Sequence, residues 1–445
     1  MKSKDGELIV GKEEVIARWV EHFEELLNRE EPDNPITEAE GEGERSPDAE
    51  EEVEAPTVEE ILRAIKKLPN NKAAGIDGIP GELFKFGGEA VQRQLARLIQ
   101  EVWNRETIPG EWEEGILISI HKKEDRNVCA NYRGICLLPV AYKVLAKIIY
   151  ARLKLYTRQI VGEYQAGFES AKSTTDHIFT LRQALEKYHE YGKDSYHMFV
   201  DFQQAYDSIH RPSLWHILSA LNIPRKLIGL VQMCYSNTRY RVRVGGELSA
   251  PFDIRGGLKQ GCALSTLLFN LALEWIMRHT PLTQAPMRIG EATFDRLAFA
   301  DDVDLCGEKM EAVAATYQQF KTAARRPGLE INLSKTKVMQ QSRTPDMEGV
   351  QDIGGDAIEA VRSFKYLGST VTSLDSIEEE VSLRIAAGSR CAWGLKKLLK
   401  SHMLSYKTKL QIYVVIIRPI VLYECETWRL TKELERQLDV FERSI

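Results

Sequence analysis

Apolar residues recur at helical spacing over residues 11–29, where Val15, Trp19, Phe23, Leu26 and Leu27 fall along one side. The spacing returns in PTVEEILRAIKKL (56–68). There Thr57 stands as an N-cap with Glu60 three residues on, and Val58, Ile61, Leu62, Ile65 and Leu68 form one apolar face. A loop rich in Gly, Asn and Pro follows, NNKAAGIDGIPGELFK (70–85). ILISI (116–120) reads as a strand, and AYKVLAKIIYARLKLY (141–156) as an amphipathic helix with Lys143, Lys147, Arg152 and Lys154 off its apolar face. That basic side suits either a phosphate backbone or plain solvation. SYHMFVDF (195–202) is a strand running into Asp201, after which AYDSI turns toward a helix. RYRVRVGG (239–246) alternates and ends in a Gly-Gly turn signal, and GCALSTLLFNLALEWIMR (261–278) is a long helical run. In RLAFADDVDL (296–305), Leu297 and Phe299 alternate before two carboxylates, Val303 and Leu305 after them: strand, turn, strand. A helix near 311–326, a turn at Pro327 and Gly328, a short strand and a hairpin arm in FKYLGSTVT (364–372) complete the pattern. Strands, then helices, then strands again predict an α+β fold in place of a doubly wound sheet.

Charge changes this picture in two places. The net charge of −6 over 445 residues comes from 38–54, EAEGEGERSPDAEEEVE, where nine acidic groups meet only Arg45. Without that segment the chain is slightly basic, and the segment itself reads as a disordered linker. Positions 381–423 hold Arg384, Arg390, Lys396, Lys397, Lys400, Lys407, Lys409 and Arg418 with no acidic residue, a composition that suits a polyanion or a solvated basic helix. The longest apolar run, IYVVII (412–417), ends at Arg418, far short of the roughly 18 residues of a membrane helix. With a charged start, MKSKDGELIV, the expectation is an intracellular protein of nucleus or cytoplasm, neither secreted nor membrane-bound. Seven cysteines, odd in number and without a C-x-x-C pair, read as reduced thiols.

The adjacent carboxylates Asp301 and Asp302 need an explanation. Burying one ionised carboxylate costs several kcal/mol, and two repel by about 4 kcal/mol at 4 Å with an effective dielectric near 20. Either they lie on an exposed turn or a cation holds them. Asp201, at the end of another apolar strand, supplies a third carboxylate, and such a set suits Mg²⁺, a hard cation that binds carboxylate, phosphate and water oxygens. Two such ions would activate a hydroxyl and stabilise a leaving pyrophosphate.

The surrounding sequence names a family. VDFQQAYDSIHR (200–211), GLKQGCALSTLLFNLALE (257–274), FADD (299–302), GLEINLSKTKVM (328–339) and FKYLGS (364–369) follow the order of the palm motifs of reverse transcriptases. Upstream, AAGIDGIPGELFK (73–85), NYRGICLLPVAYKVLAKIIYARL (131–153) and YQAGF (164–168) resemble the fingers-side motifs of enzymes from retrotransposons without long terminal repeats (LINE-type). LYECETWRLTKELERQLDVFERSI (422–445) resembles the segment after their thumb.

The resemblance implies a right-hand polymerase fold with fingers, a palm of antiparallel sheet and packed helices, and a helical thumb. The expected organisation is a helical linker at 1–37, the acidic linker at 38–55, fingers at 56–195, palm at 196–372 and thumb with a truncated extension at 373–445, the reverse transcriptase domain as a whole covering about 103–372. It implies an RNA-directed DNA polymerase that extends the 3′-hydroxyl of a DNA primer on an RNA template with deoxynucleoside triphosphates and holds the RNA–DNA hybrid. Two Mg²⁺ ions, or Mn²⁺, would be bound by Asp201, Asp301, the supporting Asp302 and the backbone carbonyl of Phe202. Tyr206 falls where the family gates against the ribose 2′-hydroxyl, and Gln260 with Gly261 lies where it meets nucleotide and template. Arg133 would grip the triphosphate, with Lys122 or Lys123 assisting. Lys335 would protonate the pyrophosphate, with Lys337 as the alternative. FKYLGS would be the primer grip.

Departures from the family pattern are Thr266 for proline, Glu424 for glycine, Glu169 for a basic residue and Ala171 for glycine. No endonuclease module is visible, so the chain reads as part of a larger polyprotein. The competing reading is a catalytically decayed or domesticated nucleic-acid-binding remnant; against it, all three aspartates are present. Tyr206 argues against an RNA-dependent RNA polymerase, and the segment from FKYLGS to ETW against an intron maturase.

Overall fold

The computed structural model describes residues 1–41 and 52–445. The chain forms two compact units: Met1–Gly162 with Phe202–Thr280 and Phe320–Glu330, and Glu163–Asp201 with Pro281–Gln319 and Ile331–Ile445.

In the first unit, helix Lys12–Leu27 buries Trp19, Phe23 and Leu27, three residues of the predicted stripe. Trp19 meets Tyr132 edge-on at 5.0 Å, and a Cβ at Gly134 would lie 2.6 Å from the Phe23 ring. This segment is therefore packed and not a free linker, because its apolar stripe gains stability only when covered. The acidic segment expected to be disordered is ordered at both flanks. Glu38–Gly41 makes a helical turn, with Glu40 accepting from Arg326 at 2.7 Å, and Val53 is buried; residues 42–51 lie outside the described residues. Helix Val58–Lys66 starts where predicted, Thr57 Oγ1 accepting the Glu60 N–H at 3.2 Å. Ile61 and Ile65 are buried and Val58 is exposed.

The sheet of this unit runs in the order Tyr132–Leu137, Glu114–His121, Arg239–Val244, Glu247–Leu248, with Phe252–Asp253 also paired to the third strand. Glu114–His121 is antiparallel to its first neighbour and parallel to Arg239–Val244. Helices Val140–Thr157 and Ala263–Arg278 pack together in the core. The first departs from the expected basic face: Lys154 is buried, Arg152 pairs with Glu60 at 2.8 Å, and burial pushes the Lys143 and Lys147 ammonium groups down. Long aliphatic stems let these residues cover apolar neighbours, so charge spacing alone overstated how much of the helix meets water.

In the second unit a sheet runs Val350–Ile353, Asp356–Ala360, Lys337–Gln341, Ser195–Val200, Asp302–Gly307, Arg296–Phe299. Only the pairing of Lys337–Gln341 with Asp356–Ala360 is parallel. Helix Thr174–Glu190 opens on a capping box formed by Ser173 and Asp176. Its Leu181 and Leu185 pack with Phe199, Met339, Tyr366 and Val371. FKYLGSTVT holds most of a complete hairpin, Ser363–Tyr366 paired with Ser369–Thr372, where one arm was predicted. Leu367 and Gly368, both with positive φ, make its turn. After Ser376 the chain is mostly helical and holds no strand, with Ile417, Val421 and Phe441 closing one cluster. Among the described residues, no helix is long and apolar enough to cross a membrane. All seven cysteines are free thiols, five of them buried.

Candidate active site

Strand register places the carboxylates. Val303 pairs with Val200, and Lys337 with Phe199. Continuing the first ladder by one residue sets Asp302 opposite Asp201, whereas the second ladder ends at Lys337 and Lys335 lies in the turn before it. Asp201 and Asp302 therefore lie at the ends of neighbouring strands, and a turn brings Lys335 to Asp201: its Nζ donates to Asp201 Oδ2 at 3.1 Å. Lys337, the alternative to Lys335, instead pairs with Glu359 at 2.7 Å. The backbone fixes Asp201 further, its N–H donating to Thr336 Oγ1 at 3.3 Å and its carbonyl accepting from the Asn332 N–H at 2.8 Å.

Phe299 pairs with Asp302, which leaves Ala300 and Asp301 as a two-residue turn. Ala300 has φ +56°, a left-handed conformation that costs a non-glycine residue about 1–2 kcal/mol. Desolvation, then the negative charges of Asp301 and Asp201, push the Asp302 carboxyl up to about 6, with Lys335 pulling the other way. The Asp302 side chain is exposed, and the repulsion by Asp301 and Asp201 comes second to desolvation in this shift. That repulsion and the hard oxygen donors fit a divalent cation at Asp201, Asp301 and Asp302.

The other predicted residues lie in the first unit. Tyr206 is half-buried, its ring stacked on Phe269 at 4.6 Å and 26°. Gly261 has φ +119°, and a Cβ there would lie 2.7 Å from the Cys136 carbonyl. That close approach lets the Cys136 N–H reach the Gln260 carbonyl at 2.8 Å. Gln260 Nε2 donates to both oxygens of Asp207, each at 2.7 Å. Burial pushes the Asp207 carboxyl up to about 6; the bond from Gln260 and the charges of Arg29, Lys122 and Arg133 oppose it. Gln260 thus bonds Asp207 directly and the charges of Arg133 and Lys122 act on it, whereas Lys123 pairs with Glu124 at 3.2 Å. The Phe202 ring is buried, 5.9 Å from that of Phe320. Sequence reasoning gave Asp207 no role, although it lies inside VDFQQAYDSIHR; its partner Gln260 is 53 residues away.

Asp207 gives a signed pH dependence. An unfolded aspartate titrates near 3.9, so between about 4 and 6 the folded chain holds a proton that the unfolded chain has lost. The stability Asp207 contributes falls as pH rises through this window and is constant above it. Asp207→Asn stays neutral and still accepts from Gln260. Its stability relative to wild type is expected to rise by about 1–2 kcal/mol between pH 4 and 6.5 and then level off. Denaturant melts across that range measure this, and a flat difference would show that Asp207 ionises freely in the fold.

A second cluster, His197, Asp304 and Cys306, is buried, with possible ligand atoms within 4.8 Å of one another. Both ring nitrogens of His197 already have protein partners: Nδ1 with Asp304 Oδ2 at 2.9 Å, and Nε2 with Ser195 Oγ at 3.1 Å. We read it as a hydrogen-bonded pair inside the sheet, separate from the three carboxylates predicted to bind metal.

Comparison with known proteins agrees with the motifs. The family described as reverse transcriptase (RNA-dependent DNA polymerase) matches residues 120–371. The RNA-directed DNA polymerase from mobile element jockey of Drosophila melanogaster is 26% identical over 398 residues, 84% of this chain and 41% of that protein. The probable RNA-directed DNA polymerase from transposon BS of the same fly is 25% identical over 388 residues, 83% of this chain and 42% of that protein. The transposon TX1 uncharacterized 149 kDa protein of Xenopus laevis is 26% identical over 324 residues, 72% of this chain and 24% of that protein. The chain belongs to the reverse transcriptase family. It spans between about a quarter and two fifths of the length of these curated relatives.

Two departures from the family pattern acquire a physical meaning here. Ala171 and Glu424 stand where the resemblance leads one to expect glycine, and their φ values are +62° and +61°, a region that glycine enters without strain. Glu424 offsets part of this by accepting from Thr174 Oγ1 at 2.8 Å.

Proposed function

We propose that this chain is an RNA-directed DNA polymerase of a retrotransposon without long terminal repeats. The observation that carries the reading is the cluster of Asp201 and Asp302 at the ends of neighbouring strands, with Lys335 bonded to Asp201 and Asp301 on the turn beside Asp302. Two divalent ions, Mg²⁺ or Mn²⁺, held by the three aspartates and the Phe202 carbonyl, would lower the pKa of the primer 3′-hydroxyl and neutralise the pyrophosphate as it leaves. Asp201 and Asp301 supply the main negative charge for this, and Asp302 assists. The Lys335 ammonium, beside Asp201, is the proton donor to the pyrophosphate. Gln260, held by Asp207, presents its carboxamide to nucleotide and template, Arg133 binds the triphosphate, and Tyr206 excludes the ribose 2′-hydroxyl. Lys122, whose charge acts on Asp207, takes the assisting role in preference to Lys123.

In this reading the six-stranded sheet serves as palm, residues 56–195 as fingers and 373–445 as thumb, while the Ser363–Thr372 hairpin serves as primer grip. The basic run from 381 supports a surface for the RNA–DNA hybrid. The relatives' names, polymerases of transposons and mobile elements, point the same way.

Extension of oligo(dT) on poly(rA) with Mg²⁺ and dTTP tests the proposal, and processive addition of dT is expected. A folded chain that binds the hybrid and adds nothing would favour a nucleic-acid-binding remnant.

A further inference from the structure

The YQAGF segment, residues 164–168, has no role in the chemistry above, yet it lies along the turn that carries Asp301. The Ala298 N–H donates to the Tyr164 carbonyl and the Ala166 N–H to the Ala298 carbonyl, both at 2.8 Å. The side chain between them is buried, with Gln165 1% exposed. Its Oε1 accepts the Ala300 N–H at 2.8 Å and the Gly167 N–H at 2.7 Å, and its Nε2 donates to the Ala300 carbonyl at 3.4 Å. One carboxamide thus holds both polar backbone groups of the left-handed residue next to Asp301. A Cβ at Gly167 would lie 2.1 Å from the Ala300 nitrogen, so glycine is what lets the segment come this close.

We propose that Gln165 is a positioning residue: it holds Ala300 in its left-handed conformation and thereby sets the direction in which Asp301 leaves the turn toward a divalent cation. Alanine resists positive φ because its Cβ crowds the backbone. Such strain persists only where the surroundings over-determine it, and here the surroundings are the Gln165 carboxamide and the closely approaching Gly167. The inference rests on the polymerase reading for what the turn does and on geometry for what holds it.

The test is Mn²⁺ binding to the full chain, measured by electron paramagnetic resonance of the free ion, beside single-turnover primer extension. Gln165→Met keeps the length of the side chain and removes the carboxamide. It is expected to weaken Mn²⁺ binding at least fivefold and slow extension at least tenfold, with part of the rate returning at higher metal concentration. Hybrid affinity is expected to stay within twofold. Adding Ala300→Gly to that variant should restore part of the Mn²⁺ affinity, since glycine takes the conformation without a clamp. Ala300→Val disturbs the same turn with Gln165 intact and is expected to reproduce the loss; it decides the matter if Gln165→Met does not fold. Wild-type Mn²⁺ affinity in a folded Gln165→Met or Ala300→Val chain, or hybrid affinity that falls in step with metal affinity, would overturn the proposal. A wild-type chain that binds Mn²⁺ but extends no primer counts against the polymerase reading alone, and the Mn²⁺ titration still decides the role of Gln165.

Discussion

Asp201→Asn and Asp301→Asn are each expected to slow primer extension about a thousandfold or more, equivalent to about 4 kcal/mol of transition-state stabilisation. Asparagine keeps the shape and removes the charge, so the loss reports on cation binding and not on packing. Asp201 lies in the centre of the cluster, next to Lys335 at 3.1 Å. Asp301 is on the turn beside Asp302, whose carboxyl is raised first by desolvation and then by repulsion from the charges of Asp301 and Asp201. Asp302→Asn should cost less, because it also relieves that repulsion. Single-turnover extension at saturating dTTP, beside hybrid affinity by fluorescence anisotropy, separates chemistry from binding. Affinity within twofold of wild type is expected throughout. A double Asp201→Asn/Asp301→Asn variant that extends within tenfold of wild type would refute the assignment.

Tyr206→Val is expected to admit ribonucleotides, lowering the ratio of kcat/KM for dTTP over UTP by 10- to 100-fold, or about 1.4–2.7 kcal/mol. The ring is stacked on Phe269 at 4.6 Å and cannot swing aside without giving up that contact. A gate must be rigid to discriminate by shape, and this packing supplies the rigidity. Valine leaves room at the same position. Extension with dTTP should stay within a few-fold of wild type, and an unchanged ratio would place the gate on another side chain.

How much of this was legible without coordinates varied with the range of the interaction. The Thr57 cap, helix Lys12–Leu27 and the Arg296–Gly307 hairpin follow from neighbours a few residues apart, and the sequence pattern locates all three. The Val350–Ala360 hairpin and helix Thr174–Glu190 escaped it: the first is short and half polar, and the second mixes apolar with charged positions. The basic side of Val140–Thr157 misled because the aliphatic stems of lysine can lie along apolar surface, so charge spacing alone does not show how far a helix face meets water.

At the site the same division holds. The identity and order of Asp201, Tyr206, Gln260, Asp301, Asp302 and Lys335 are written in the motifs, because the resemblance that proposes their roles rests on the side chains themselves. The choice of Lys335 over Lys337 beside Asp201 came from the folded contacts, in which the turn before the strand brings Lys335 to Asp201 while Lys337 pairs with Glu359. The pairing of Asp207 with Gln260 and the hold of Gln165 on Ala300 came only from folding, which joins residues 53 and 135 positions apart. Sequence alone determined which side chains this protein has for the proposed phosphoryl transfer. The tertiary structure decided which of them are held in place, because the partners that hold them, side chains and backbone groups alike, come from distant positions that no local pattern joins.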